Sequence, residues 1–565
     1  RPHSRPKNYK PTESTKPSAV PNNSGKSSLL RETQQLASSV GPIEWRGVHA
    51  RVVAGYDLRY DGTVDDLIEY MTRTFWRREP GQYPDGFQNE VTFRLFNGSI
   101  VKESDVKTRW HSQASLGSIA NVFCQYLNAE QRLPVANATQ SFDPMSEYPS
   151  SPLQILSANK SIERELDDLV RGAFGSGIVL NRFAGPQLRL HVGRMTSRVT
   201  GSPPSVEYLE EMARLPTMDL QGDGIRAFVG IVLAVLTSPY SVIMIDEPEA
   251  FLHPPQARLL GSFIESHARR TKTRIVIATH SEDILGGIID SRRTTGEITF
   301  ARVTRNETGN HISQIASALA KDLFNDPLMQ FFDMLNGLFA PGVILCEADG
   351  DCTYYRAVSS RIDNLSLRTS HFTHTAGKDR MLRAVRTLRT VSVPVACIYD
   401  IDIFQDERKF QVLVEEAGLD WAVLQPLRNQ IVHNIDGLAV YPRRAELQSE
   451  LNAVLDSFTQ SHLNGSTLRE LSAALKVESG WSRFKFLGIA ALDAGGRRAY
   501  AAATEMLEAN GIFIVAEGEL ERFHPDVVQS DKAEWLRTVL AQKLYRNSTA
   551  QDLLRRVAFF IERQQ

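Results

Sequence analysis

The sequence predicts an α/β protein built on two parallel sheets flanked by helices. Apolar strand-like runs at residues 241–245 and 274–278 bracket a helical run at 256–270, the β-α-β order of a parallel sheet. A second block repeats the alternation, with strand signals at 343–346, 393–399 and 512–515 and helical signals at 353–360 and 379–390. In both blocks strand runs end in acidic or polar side chains, where an open parallel sheet carries its active residues.

A chain of 565 residues is too long for one core. The pattern breaks at Asn325-Asp326-Pro327. That break predicts a first domain over 1–325 (1–18 irregular or incomplete) and a second over 326–530 with a helical insertion at about 427–480. Residues 531–565 read as a C-terminal helical segment. Within the first domain, 133–152 reads as a polar surface loop, 161–174 as an amphipathic helix and 224–236 as a strongly apolar helix.

A formal net charge of −2 neither supports nor excludes nucleic-acid binding, which would require a local basic patch. Cys124, Cys346, Cys352 and Cys397 form no C-x-x-C pair, and three of them lie in or beside apolar strand-like runs. A thiol there behaves as a small buried hydrophobe, so neither disulfides nor a zinc site is expected. That usage suits a reducing cytoplasm. No apolar run approaches the roughly 20 residues that span a bilayer. The Arg-, Lys- and Pro-rich start lacks the apolar core of a secretory signal. The expectation is a cytoplasmic protein with no membrane segment.

Asn22-Asn23-Ser24-Gly25-Lys26-Ser27-Ser28 matches the end of a phosphate loop, G-x-x-x-x-G-K-[ST]. Gly25 lets the backbone approach phosphate oxygens, Lys26 reaches the β- and γ-phosphates, and the Ser27 hydroxyl suits Mg²⁺. The following helix offers free N–H groups. Val20 stands where the first glycine belongs, and the residues before the loop do not read as a buried strand. Residues missing before Pro21 would explain both departures; a chance Ser/Gly loop is the plain alternative. Val242-Ile243-Met244-Ile245-Asp246-Glu247-Pro248 is an apolar strand ending in paired carboxylates. Asp246 would hold Mg²⁺ through water and Glu247 would orient or deprotonate the attacking water. The continuation Glu249-Ala250-Phe251-Leu252-His253-Pro254, the later Ile275-Val276-Ile277-Ala278-Thr279-His280-Ser281, and Gly222 and Gly224 ahead of a helix complete the set.

In the second block, 342–346 ends in Glu347-Ala348-Asp349-Gly350-Asp351, and 393–399 ends in Asp400-Ile401-Asp402. In extended chain, i and i+2 carboxylates point the same way. Converging carboxylates repel unless divalent cations lie between them, and hard oxygen donors favour Mg²⁺ or Mn²⁺. Helix capping or Asx-turns are the plain alternatives. Arg380, Arg383, Arg386 and Arg389 share a predicted helix and would either track a phosphate backbone or form a solvated face.

The first set of motifs resembles ABC-type and SMC-related ATPases. The glutamate and D-x-D pair resembles Toprim domains. Their order, from Pro21 to about Pro525, resembles the OLD (overcoming lysogenization defect) endonucleases. The resemblance implies an ABC/SMC-like ATPase domain followed by a Toprim domain, with helical insertions. It implies that His280 contacts the γ-phosphate of ATP and that Gly222 and Gly224 contact the ATP of a second subunit. It also implies Glu347, Asp351, Asp400, Asp402, Glu519 and Glu521 as metal ligands, with Glu521 completing a second ion site. Lys485 would match a lysine that stabilises phosphate charge. Ala348 replaces the glycine usual after the first glutamate, which puts the local turn in doubt, although Glu347 and Asp351 keep the family spacing.

The implied activity is ATP-regulated DNA nicking or double-strand cleavage in anti-phage defence, as in Gabija nucleases and retron effectors. Assembly would be a homodimer or higher homo-oligomer through the ATPase heads. A helicase, or a reverse transcriptase with its DNA, is the implied kind of defence partner. A DNA-sensing ATPase with a non-catalytic Toprim module and a Toprim ribonuclease stay open as alternatives.

Overall fold

The computed structural model describes residues 25–38, 53, 62–81, 89–96, 99–112, 116–145, 147–199, 201, 203–271, 273–290, 298–306, 309–315, 335–375, 378–390, 392–438, 444–457, 465–474, 479–527 and 531–564. The chain divides into two compact units, residues 1–298 with 303–312 and residues 299–302 with 313–565. Among the described residues, no helix is long and apolar enough to cross a membrane.

The first unit is organised by strands β1 (Cys124–Leu127), β2 (Val242–Asp246) and β3 (Arg274–Ala278), parallel and in the order β1-β2-β3. Helix α1 (Lys26–Ser38) starts at the Gly25 turn, and α2 (Asp223–Leu236) and α3 (Pro254–Thr271) flank β2 in sequence. Every residue of α2 from Ala227 to Val235 is buried. A helix apolar all round belongs inside, and this one joins Leu127, Ile243, Ile245 and Leu260 in the core. The central position of β2 brings its acidic end between the ends of two neighbours. Three-stranded antiparallel sheets also form, Trp76–Arg78 with Thr92–Arg94 and Ile100–Lys102, and Thr139–Gln140 with Gln187–Val192 and Ile178–Ala184. Residues 133–152 are thus not simply a surface loop. Ala136 is buried in the core, and Thr139 and Gln140 pair with Leu188 and Gln187.

The second unit holds a four-stranded sheet. Its strands β4 (Val343–Cys346), β5 (His371–His374), β6 (Val395–Tyr399) and β7 (Ile512–Ile514) are all parallel, in the order β5-β4-β6-β7. Every residue of β4, β6 and β7 is buried, as expected of a parallel sheet covered on both faces. Strand β5 has no counterpart among the sequence expectations. It is four residues long with histidine at both ends, too short and polar to signal a strand.

Helices α4 (Asp349–Ser359) and α5 (Lys378–Thr390) follow the first two strands, and α6 (Gly480–Leu487) precedes β7. Further helices lie at Trp421–Asp436, Arg444–Asp456 and Gly465–Ala474. The final helices α7 (Lys532–Ala541) and α8 (Ala550–Gln564) share the core of the sheet. Trp535, Val539, Leu554, Val557 and Ile561 cluster with Ile344, Ile398 and Phe513.

On α5, Arg386 pairs with Glu416 and Arg389 donates to the carbonyl of Asn510. Both arginines thus have partners within the domain; the side chains of Arg380 and Arg383 lie outside the described residues.

Candidate functional site

At the carboxyl end of the first sheet, residues far apart in sequence meet. The Ser27 hydroxyl donates to Asp246 Oδ1 at 2.8 Å. Lys26 Nζ donates to the carbonyl of Thr279 at 3.1 Å and to His280 Nδ1 at 3.0 Å. Gly25 holds φ +83°, a left-handed turn that suits glycine and swings the chain into α1. Burial first, and then the Lys26 charge, lower the pKa of His280. Its ring is therefore neutral near pH 7. Accepting at Nδ1, it carries its proton at Nε2, a donor suited to a phosphate oxygen. Glu247 sits at φ +48°, a left-handed backbone that costs a non-glycine residue about 1–3 kcal/mol. Gly222 is the N-cap of α2 with open space where a Cβ would be, whereas a Cβ on Gly224 would lie 2.8 Å from the Phe251 carbonyl oxygen. Asn23 lies outside the described residues.

Motif matching does not assign roles to two further residues here. Glu249 accepts from the Thr279 hydroxyl at 2.8 Å and from the His280 N–H at 2.7 Å, tying the β2 turn to the β3 turn. Tyr126 on β1 donates to Asp246 Oδ2 at 3.1 Å. Burial and the Asp246 charge push that phenol up to about 12, so it stays a donor. Glu249 was visible in the acidic run; Tyr126 gave no signal, because its strand is short.

At the corresponding end of the second sheet, Glu347 follows β4 and Asp400 follows β6, its neighbour. The Asp400 N–H donates to Glu347 Oε1 at 3.0 Å. Burial above all, and then the charges of Glu347 and Asp351, hold the Asp400 carboxyl well above the usual carboxylate range. Burial likewise raises Asp351, opposed by the hydrogen bond it accepts from the Ala348 N–H at 3.0 Å. That bond closes the turn where the usual glycine is missing. Lys485 Nζ lies 2.5 Å from Asp402 Oδ2, and Lys532 Nζ lies 3.2 Å from Glu521 Oε1. Backbone packing brings Lys485 there, since a Cβ on Gly518, at φ +117°, would lie 2.0 Å from the Lys485 carbonyl oxygen. Glu519 precedes the short turn Leu520–Phe523 that carries Glu521.

Two protein-family descriptions match the chain. An AAA domain family associated with the AbiEii toxin and Type IV TA system matches residues 121–285, a stretch containing Asp246, Glu247 and His280. The "Overcoming lysogenization defect protein-like, TOPRIM domain" family matches residues 338–402, containing Glu347, Asp351, Asp400 and Asp402. The chain joins an AAA-type ATPase domain to an OLD-like Toprim domain. Lys26 and Ser27 lie before the first match, and Lys485, Glu519 and Glu521 after the second.

No curated protein matches the chain. Solved structures similar to it include an SmcHead bound to the C-winged helix domain of ScpA, at 12% identity over 44% of this chain and 68% of that one, TM-score 0.26. An SMC head domain from Thermotoga maritima is similar at 14% identity over 40% of this chain and 65% of that one, TM-score 0.21. Likeness at that level carries no argument, and the domain identities rest on the two families.

An ATPase domain implies use of ATP, and Toprim domains typically bind divalent metal. Among the described residues, no group of three or more His, Cys, Asp or Glu side chains is arranged to hold an ion. In the Toprim domain the acids instead engage two lysines and two main-chain N–H groups. The donor chemistry nevertheless fits a hard cation. Glu521 Oε2 is buried with no hydrogen-bond partner among the described residues, and the charges of Glu347 and Asp351 act on a buried Asp400.

Proposed function

We propose that this protein is an ATP-regulated, divalent-metal-dependent DNA endonuclease acting in anti-phage defence. The observation that carries the reading is that Asp400, buried at the end of β6, lies in the field of Glu347, Asp351 and Asp402, while Lys485 pairs with Asp402. Glu347, Asp351, Asp400, Asp402, Glu519 and Glu521 would hold Mg²⁺ or Mn²⁺. A bound divalent ion supplies charge neutralisation at the scissile phosphate and a water of lowered pKa.

Lys485 brings a positive charge to the same place, where it can stabilise charge developing on phosphate oxygens. In the ATPase domain, Gly25, Lys26, Ser27 and Ser28 bind phosphate, Ser27 and Asp246 hold Mg²⁺, His280 donates to the γ-phosphate, and Glu247 orients water. Gly222 and Gly224 meet the nucleotide of a second subunit in a homodimer or larger assembly, and nucleotide state governs access to the Toprim site.

The pairing of Asp402 with Lys485 and of Glu521 with Lys532 neutralises acids without an ion and favours a second reading. There the Toprim domain is a non-catalytic module of a DNA-sensing ATPase. Supercoiled plasmid incubated with Mg²⁺ or Mn²⁺ separates the two. Nicking lost in Asp400→Ala supports the nuclease; equal activity in both proteins removes the acidic site from the chemistry. A tRNA substrate run alongside tests for RNA cleavage.

A further inference from the structure

The turn that carries Glu247 departs from ordinary backbone at two places. Glu247 at φ +48° and Phe251 at φ +73° are both left-handed and neither is glycine. Something outside the turn must impose that conformation. The Arg132 side chain reaches it. Arg132 ends the short helix Ala129–Arg132 and is fully buried. Its Nη1 donates to the carbonyls of Asp246 at 3.2 Å and Glu247 at 2.9 Å, and its Nη2 donates to Ala250 at 3.3 Å. One planar fork thus spans the turn from the last residue of β2 onward.

The main chain of Arg132 is held as firmly. A Cβ on Gly230 would lie 2.0 Å from the Arg132 carbonyl oxygen, so α2 passes at backbone distance. Near the start of the same helix, Gly224 packs against the Phe251 carbonyl. Arg132 is therefore clamped between α2 and the acidic turn. Its charge is in the field of Glu249, Glu247 and Asp246, which oppose the lowering of its pKa by burial.

We propose that Arg132 is a positioning residue for ATP hydrolysis, fixing the Asp246–Ala250 turn so that Glu247 keeps the backbone from which its carboxylate orients the attacking water. The proposal rests on the reading of Glu247 as the water-orienting group. A lysine has no planar fork and cannot reproduce all three contacts.

The test is steady-state ATP hydrolysis by the full chain carrying Arg132→Met, Arg132→Lys, Glu247→Gln, or the Lys and Gln changes together. Misplacing a catalytic group by about 1 Å can remove on the order of 100-fold in rate. Arg132→Met is expected to lose about that much kcat, and Arg132→Lys less, with KM for ATP little changed because Lys26 and Ser27 are intact. In the Glu247→Gln background, Arg132→Lys should add no further loss, the sign of two residues acting through one group. Should Arg132→Met fail to fold, Arg132→Lys and the double variant carry the test. Wild-type turnover by Glu247→Gln would remove the reading of Glu247. Inactive Glu247→Gln alongside wild-type kcat in Arg132→Lys would overturn the Arg132 proposal alone. So would a loss in Arg132→Lys that raises KM and multiplies with Glu247→Gln.

Discussion

Replacing Glu249, itself not expected to contact nucleotide, should damage the ATP site. Its carboxylate accepts two hydrogen bonds, from the Thr279 hydroxyl at 2.8 Å and from the His280 N–H at 2.7 Å. A hydrogen bond to a charged group contributes about 1.5–3 kcal/mol, so two are worth about 3–6 kcal/mol in a dry site. Glu249 is half-exposed and its two bonds share one carboxylate, so they are not additive. We expect Glu249→Ala to destabilise the ATPase domain by about 2–3 kcal/mol and Glu249→Gln, which keeps one neutral acceptor, by about 1–2 kcal/mol.

Turnover should fall as well, because the same loop supplies the Thr279 carbonyl and His280 Nδ1 to Lys26. A loss of 1.4 kcal/mol in transition-state stabilisation is about tenfold in kcat/KM, the least we expect of Glu249→Ala. Urea unfolding followed by circular dichroism, beside phosphate release from ATP, measures both. Wild-type kcat/KM and an unmoved unfolding midpoint in Glu249→Ala would refute the claim that this carboxylate places His280.

Ser27→Ala removes the 2.8 Å bond to Asp246 and the hydroxyl suited to Mg²⁺, so nucleotide affinity measured in Mg²⁺ should fall while affinity in EDTA changes little. Asp400 and Asp351 have folded-state pKa values raised above 3.8, so the unfolded chain gives up these protons first. The contribution of these two groups to the stability of the metal-free Toprim domain is therefore full below pH 3.8 and is lost as pH rises through the folded values. Mn²⁺ competes with those protons, so its affinity should increase over the same rise. Thermal melts across pH with and without Mn²⁺ test this, and an unchanged pH slope in Asp400→Asn would contradict it. Lys485→Met should reduce plasmid nicking by about 100-fold while leaving ATP hydrolysis intact. Trp535→Ala, emptying a buried site shared with the Toprim sheet, should destabilise that domain by about 3–5 kcal/mol in denaturant titrations.

Much of the fold was legible along the chain because its signals are local. Buried parallel strands read as apolar runs, and β2, β4 and β6 each end at the carboxylates that a strand end exposes. Strands β1 and β5 escaped notice, being four residues long with polar or mixed composition. Helices α7 and α8 were recognisable as helices, but nothing local told that their apolar faces complete the core around Trp535 and Leu554.

The candidate sites divide the same way. Residue type and spacing, together with the family resemblance, singled out Gly25-Lys26-Ser27, Asp246-Glu247, His280, Glu347 and Asp400-Ile401-Asp402 as candidates, because each motif is contiguous. Only the tertiary structure decided that Ser27 meets Asp246, that Lys485 meets Asp402, that Glu249 holds the His280 loop and that Arg132 braces the acidic turn. Those pairings join residues brought together by strand order and by glycines that let backbones touch. Contact across a fold depends on which strands become neighbours, a global outcome of packing that no short run of residues encodes.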